Sequence, residues 1–282
     1  MIVDAHVHVW ENWPYLPEVP DPGRARVEQL LHEMDANGVE RSVIICARIG
    51  ENASNVDYAL EAAHRYQGRF TVFPDLECKW AADFRSTGAV GRLEKAMARW
   101  DFVGFTMYLD EAEDGSWLTN AEGLAFFELA AASRLIVSLS AMPHQMPAVM
   151  RLAAEFQSLP ILLHHFAFLG PRSAATTNGM ELVLAAAGHR NIFVKYSGMG
   201  NVAAPDQDYP YPELAGIPRQ LHRTFGAHRL MWGSDYPVSR KHMTYTQTMR
   251  LAERHGPLGA AELAPVMGGN ITRLLEERAI AT

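Results

Sequence analysis

The sequence predicts an α/β fold, a (β/α)8 barrel built as one domain over residues 1–282. Eight short β-branched or apolar runs recur along the chain, each followed by a longer Ala-, Leu-, Glu- and Arg-rich segment at helical period. Strands and helices alternating at that spacing form a parallel sheet, and eight units close it into a barrel. An open doubly wound sheet is the competing architecture, but no Gly-rich phosphate turn follows the first run, and GxGxxG is absent.

The units follow in order. IVDAHV (2–7) precedes a helix over 24–37 that stops at Gly38, and SVIICA (42–47) precedes one over 54–66 that stops near Gly68. Glycine ends helices because it enters the left-handed conformation without a Cβ clash. FTVFPD (70–75) leads to a helix over 88–99, and FVGFTM (102–107) to one over 121–133 opened by the N-cap Asn120. LIVSLS (135–140) is followed by 145–157, ending before Pro160, and PILLHH (160–165) by 177–187, ending at Gly188. IFVKYS (192–197) precedes 212–225, with the Pro/Tyr-rich stretch 205–216 as a loop over the active face. LMWGSD (230–235) precedes 242–255, and a last helix covers 270–278.

A chain of 282 residues with 48% hydrophobic and 20% charged residues fits one packed barrel without staples. Its net charge of -7 disfavours nucleic acid and anionic lipid as partners. Cys46 and Cys78 are too few for a disulfide framework, and MIVDAHVHVW lacks the features of a secretory leader. No apolar stretch approaches the roughly 18 residues of a spanning helix. The expectation is a cytoplasmic enzyme with a small-molecule substrate; homo-oligomerisation is left open.

Three strand ends carry chemistry. His6 and His8 lie two apart on the first strand, so both side chains point the same way, toward the barrel mouth, where they can converge on one ion. The plainer alternative is a packed or rim pair. Asp235 ends the eighth strand, where it can bind a divalent cation or take a proton from water, unless it merely caps a turn. His164 and His165 end the sixth strand. Adjacent strand residues face opposite sides, so one points inward; His165 is assigned inward and His164 packed or hydrogen-bonded behind the strand.

DAHVHVW, ILLHHF, NIFVKYSG and MWGSDYP together resemble the amidohydrolase superfamily, in its amidohydrolase-2 branch of barrel hydrolases, which includes pyrone-dicarboxylate and sugar-acid lactonases. The likeness runs along essentially the whole chain. It implies that His6, His8, His165 and Asp235 are the metal ligands, that the ion is divalent, zinc foremost, and that Asp235 and His165 are catalytic. Many metal-bearing members carry a further histidine or carboxylated lysine on strand 4 or 5. Here the fifth strand ends Ser138-Leu139-Ser140-Ala141-Met142, so a metal-free site stays open, as does completion of the shell by His144 or Glu77, each more simply a polar rim residue.

Arg48, Tyr108, Lys195 and Arg240 are the candidate substrate-binding groups, with His242 beside Arg240; a cation there would hold a carboxylate, or each is a rim salt-bridge partner. Trp10, Trp232 and Tyr236 are candidate pocket walls. The expected reaction is opening of a lactone or ester: Asp235 deprotonates water, and the imidazoles, directly or through an ion, stabilise the oxyanion. The alternatives are a metal-dependent non-oxidative decarboxylase of an aromatic or related acid, and an inert acid-binding barrel.

Overall fold

The computed structural model describes residues 1–15, 22–171 and 178–279. Among them eight parallel strands alternate with helices: β1 Val3–Val7, β2 Arg41–Ile45, β3 Phe70–Phe73, β4 Gly104–Tyr108, β5 Ile136–Ser140, β6 Ile161–Leu163, β7 Ile192–Tyr196 and β8 Leu230–Trp232. β1 to β3 form one ladder and β4 to β8 another. Single parallel bridges join them at two seams, Asp75 to Thr106 and Val7 to Tyr236. Thr106 N donates to Pro74 O (2.8 Å) at the first seam, and Asp235 N to His6 O (2.8 Å) at the second. These contacts carry the ring of strands from β1 round to β8 and back, giving the expected α/β barrel.

Alternation along the strands sorts the core into two layers. Ile45, Phe73, Ile136, Leu162, Phe193 and Met231 fill the barrel interior. Their neighbours Ile44, Val72, Val137, Leu163, Val194 and Trp232 pack outward beneath the helices. β1 departs from strict alternation: Val3 and Ala5 face inward, Val7 outward, and the register with β2 slips between Asp4 and Val7. That bulge lets both Ala5 and His6 point into the barrel, and regular alternation then brings His8 to the same side.

The helices run Val27–Ala36, Asn55–Arg65, Ala89–Arg99, Ala121–Ala132, Met146–Glu155, Gly179–Ala185, Gly216–Phe225, Tyr245–Arg254 and Asn270–Ala279, with further short turns between them. Asn120 caps its helix by accepting from Gly123 N, as expected, and Thr244 caps the next to last through Gln247 N. Several expected boundaries shift. The sixth and eighth strands end at Leu163 and Trp232, short of 165 and 235, because the chain leaves the sheet to build the site. The helix expected from 212 begins at Gly216 after a 3-10 turn. Residue 177, the expected start of the sixth helix, lies outside the described residues. In the 205–216 stretch, expected over the active face, Tyr211 is buried in the outer layer and Tyr209 packs on His255. No helix among the described residues is long and apolar enough to cross a membrane.

Candidate active site

Four side chains from three places in the chain meet at the β1–β8 seam. Asp235 Oδ1 lies 3.3 Å from His8 Nε2, 3.6 Å from His6 Nε2 and 3.8 Å from His165 Nε2. All four residues are buried. The sequence folds this way because both strand ends turn left-handed. Asp235 has φ 57°, and His165, Phe166, Ala167 and Phe168 follow one another at φ 46° to 55°. Each non-glycine residue in that region costs on the order of 1 kcal/mol, and such strain concentrates at functional sites. Two glycines make room: a Cβ on Gly233 would stand 2.7 Å from His6 Cβ, and one on Gly198 would run into the His165 imidazole. These are the glycines of WGSD and YSG.

The turn at His165 overturns the expected orientation of His164. His164 follows inward-facing Leu162 by plain alternation and points into the barrel, its ring 4.6 Å from that of His6, while the left-handed backbone swings His165 in as well. His164 Nε2 is 2.7 Å from Ser138 Oγ, which accepts from Lys195 Nζ (2.6 Å), which in turn lies 3.1 Å from His6 Nδ1. The result is a buried polar floor beneath the cluster.

Burial sets the protonation of this floor. It pulls His6 and His164 well below the ordinary imidazole pKa, with Lys195 and the neighbouring histidines pushing the same way, and it lowers His165 to about 4 against the pull of Asp235. Lys195 is likewise driven well below its usual value. Burial alone would raise Asp235, but the His165 and His8 imidazoles and the Asn201 amide outweigh it and hold the carboxyl below its usual range. His8 Nδ1 donates to Ile45 O at 2.6 Å, and its Nε2 lies 3.2 Å from His6 Nε2.

These donors fit a metal ion. Asp235 Oδ1 is buried without a hydrogen-bond partner among the described residues. Ligand atoms of His6, His8 and Asp235 all lie within 4.8 Å of one another, as do those of His6, His164 and His165. Imidazole nitrogens with a carboxylate oxygen suit a divalent transition ion. Outer groups orient these side chains: Ile45 carbonyl for His8, Ser197 Oγ for His165 Nδ1 (3.0 Å), and Asn201 Nδ2, which donates to Asp235 Oδ2 (2.7 Å).

The cluster opens into a cavity of about 230 Å³ lined by His8, Tyr15, Lys79, Trp80, Tyr108, Glu111, Ser140, His165, Phe168, Asn201, Asp235 and Val238. Of the four candidate substrate groups, Tyr108 alone is on this wall. Arg48 turns away, donating through Nε to Asp75 Oδ1 (2.9 Å) and through Nη2 to Asp75 O (2.7 Å), beside a separate cleft it shares with Glu77 and Arg92. Lys195 is wholly buried in the floor, and Arg240 is exposed on the 3-10 turn after Pro237. His242 packs against Gly200. Neither proposed extra ligand reaches the cluster: Glu77 accepts from Arg92 Nε (2.6 Å), and exposed His144 sits 3.1 Å from Glu113 O. Trp10 stacks on His8 at 4.9 Å, but Trp232 and Tyr236 pack outward against Tyr245.

Sequence reasoning missed Asn201, Ser197, Ser138, Trp80 and Phe168. Ser197 and Asn201 follow β7 directly, and their position after a barrel strand was the available signal; their ordinary chemistry gave none.

An L-fucono-1,5-lactonase from Burkholderia ambifaria is 27% identical to this chain over 253 residues, covering 84% of the chain and 81% of the relative. The crystal structure of a zinc-bound amidohydrolase from Burkholderia multivorans superposes with a TM-score of 0.77 at 23% identity, covering 98% of this chain and 99% of that one. A candidate 2-pyrone-4,6-dicarboxylic acid hydrolase from Acinetobacter baumannii, solved with citric acid, gives 0.75 at 18% identity over 98% and 99%. Both structures share the barrel fold. The amidohydrolase family model matches residues 3–276, from the first barrel strand to the last helix, and the chain belongs to that family.

Proposed function

We propose that the chain opens the ring ester of a small carboxylic acid, with His6, His8, His165 and Asp235 holding a zinc ion. The observation that carries this reading is Asp235 Oδ1: a buried carboxylate oxygen without a partner, facing three imidazole nitrogens at the edge of a 230 Å³ cavity. A structural acid would have its oxygens satisfied. The lactonase relative supports the choice of substrate bond.

In this mechanism Asp235 Oδ1 takes a proton from a water in the cavity as the water oxygen bonds to the lactone carbonyl carbon. The proton then passes to the ring oxygen as its bond to that carbon breaks, giving a hydroxy acid. Asn201 holds Oδ2, so the reactive oxygen is Oδ1. A carboxylate held below its usual pKa is a weak base, and a bound divalent cation supplies the missing acidity to water. Tyr15, Trp80, Tyr108 and Phe168 supply aromatic walls to the cavity beside the reacting bond.

The test is a panel of sugar-acid and aromatic-derived lactones assayed with metal content measured, with and without chelator. Ring opening without gas, lost in Asp235→Asn, is expected. Release of carbon dioxide from an aromatic acid would replace the reading with decarboxylation, and a fully active Asp235→Asn would eliminate it.

A further inference from the structure

Among the described residues, two buried polar atoms on the cavity wall lack a hydrogen-bond partner: Asp235 Oδ1, already given a role, and Tyr108 Oη. Tyr108 is the last residue of β4, opposite Ser140 of β5, and only 8% exposed. Its ring is fixed edge-on to His164 (5.5 Å) and tilted against Trp80 (4.6 Å). Of the four other buried tyrosines among the described residues, three donate their hydroxyl within the protein: Tyr196 to Leu251 O, Tyr236 to Arg24 O, and Tyr245 to Asp4 Oδ2.

A buried hydroxyl without a partner destabilises the protein that carries it. Phenylalanine would make the same ring contacts at that position. Because Tyr108 lines the cavity, a bound ligand can supply the missing partner, and a phenol that burial keeps protonated offers that ligand a donor. Asp235, across the same cavity, is an acceptor that handles the water. The group left to be matched is the lactone carbonyl oxygen, which gains negative charge as water attacks. We propose that Tyr108 Oη–H donates to that oxygen and to the oxyanion it becomes. This rests on the lactone-hydrolase reading of the site; Tyr108 transfers no proton and forms no covalent bond.

Tyr108→Phe tests it. The expected result is a fall in kcat of about 10²- to 10³-fold, as for loss of a single oxyanion donor, with KM changed less than about threefold and a Tm equal to the parent's or higher. A cyclic phosphonate mimic of the tetrahedral intermediate should lose affinity by a similar factor, while the hydroxy-acid product should not. A kcat within about threefold of the parent overturns the role, and so does a kcat loss accompanied by a Tm lower by several degrees, which would reveal a structural hydroxyl. A parent that opens no lactone overturns both this role and the reading beneath it. A parent that opens lactones alongside an unimpaired Tyr108→Phe overturns the phenol alone.

Discussion

The barrel closes at two seams, and each holds a buried aspartate just past a strand end. At the β3–β4 seam Asp75 is saturated: Oδ2 accepts from Arg48 N (2.9 Å) and Oδ1 from Arg48 Nε (2.9 Å). At the β1–β8 seam Asp235 is anchored through Oδ2 alone, and its Oδ1 is left to the cavity. The residues are 1% exposed in both cases, so burial does not distinguish them. Satisfaction does: one seam's acid is fully paired and the other's is half paired, which the proposed function reads as a place left for a ligand.

The sharpest test of that contrast is Asp235→Asn. An amide keeps the shape but cannot accept a proton from water, so turnover should fall about 10³- to 10⁴-fold, the upper range for a positioned base. Denaturant unfolding of the metal-free variant should show no loss of stability. A loss of folding with activity per folded molecule intact would reverse the assignment of the two seams.

Arg48→Met is the converse experiment. It strands the Asp75 carboxylate without its guanidinium, a loss of about 3 kcal/mol for a buried pair broken on one side. Urea titration should show that drop while kcat per folded molecule stays near the parent's, because Arg48 does not line the mouth. A selective rise in KM would restore Arg48 to substrate binding.

Acid should weaken the open seam. The folded protein holds His165 at about 4, below the 6.5 of an unfolded histidine. Between those values the unfolded chain binds a proton that the folded one refuses, so this contribution is fully present above pH 6.5 and is lost as pH falls toward 4. Across that window the loss amounts to about 3 kcal/mol for this residue. His165→Asn, measured with chelator present, should flatten that part of the stability curve. The paired acid at the other seam has the opposite sign: burial raises the pKa of Asp75 despite Arg48, so its contribution weakens as pH rises through the acid range.

What the sequence revealed of this arrangement follows from which forces are local. Strand and helix alternation was legible because hydrophobic period is local, and so was Asn120 as a cap. His6 and His8 were placed together correctly, but the two-residue rule alone does not explain it, because the bulge after Asp4 is what turns His6 inward. The 164–165 pair misled because Ile161, Leu162 and Leu163 are all apolar and hide which face is inner, and because the left-handed turn breaks alternation at His165. Arg48 looked like a substrate cation because its partner, Asp75, lies 27 residues away. Lys195 looked like a rim cation because nothing in VKYS says that its neighbours are Ser138 and His6.

Asn201 gives the smallest and most discriminating effect. It sits on the short helix Met199–Val202 after β7 and donates Nδ2 to Asp235 Oδ2 at 2.7 Å. That bond helps hold the carboxylate ionised and, in the proposed mechanism, leaves Oδ1 to the water. Asn201→Ala removes the donor without adding charge, so Asp235 should become a slightly stronger base with a freer side chain. Loss of one hydrogen bond to a charged group amounts to about 1.5 kcal/mol, or roughly tenfold in kcat. The acid limb of the kcat/KM profile should move to higher pH, since the amide no longer favours the ionised form. An unmoved limb with a tenfold loss would mean that Asn201 orients the carboxylate without tuning it. An unchanged rate would mean that Asp235 is held by its three imidazoles alone, and the half-paired acid would then owe its geometry to the strand ends rather than to its amide.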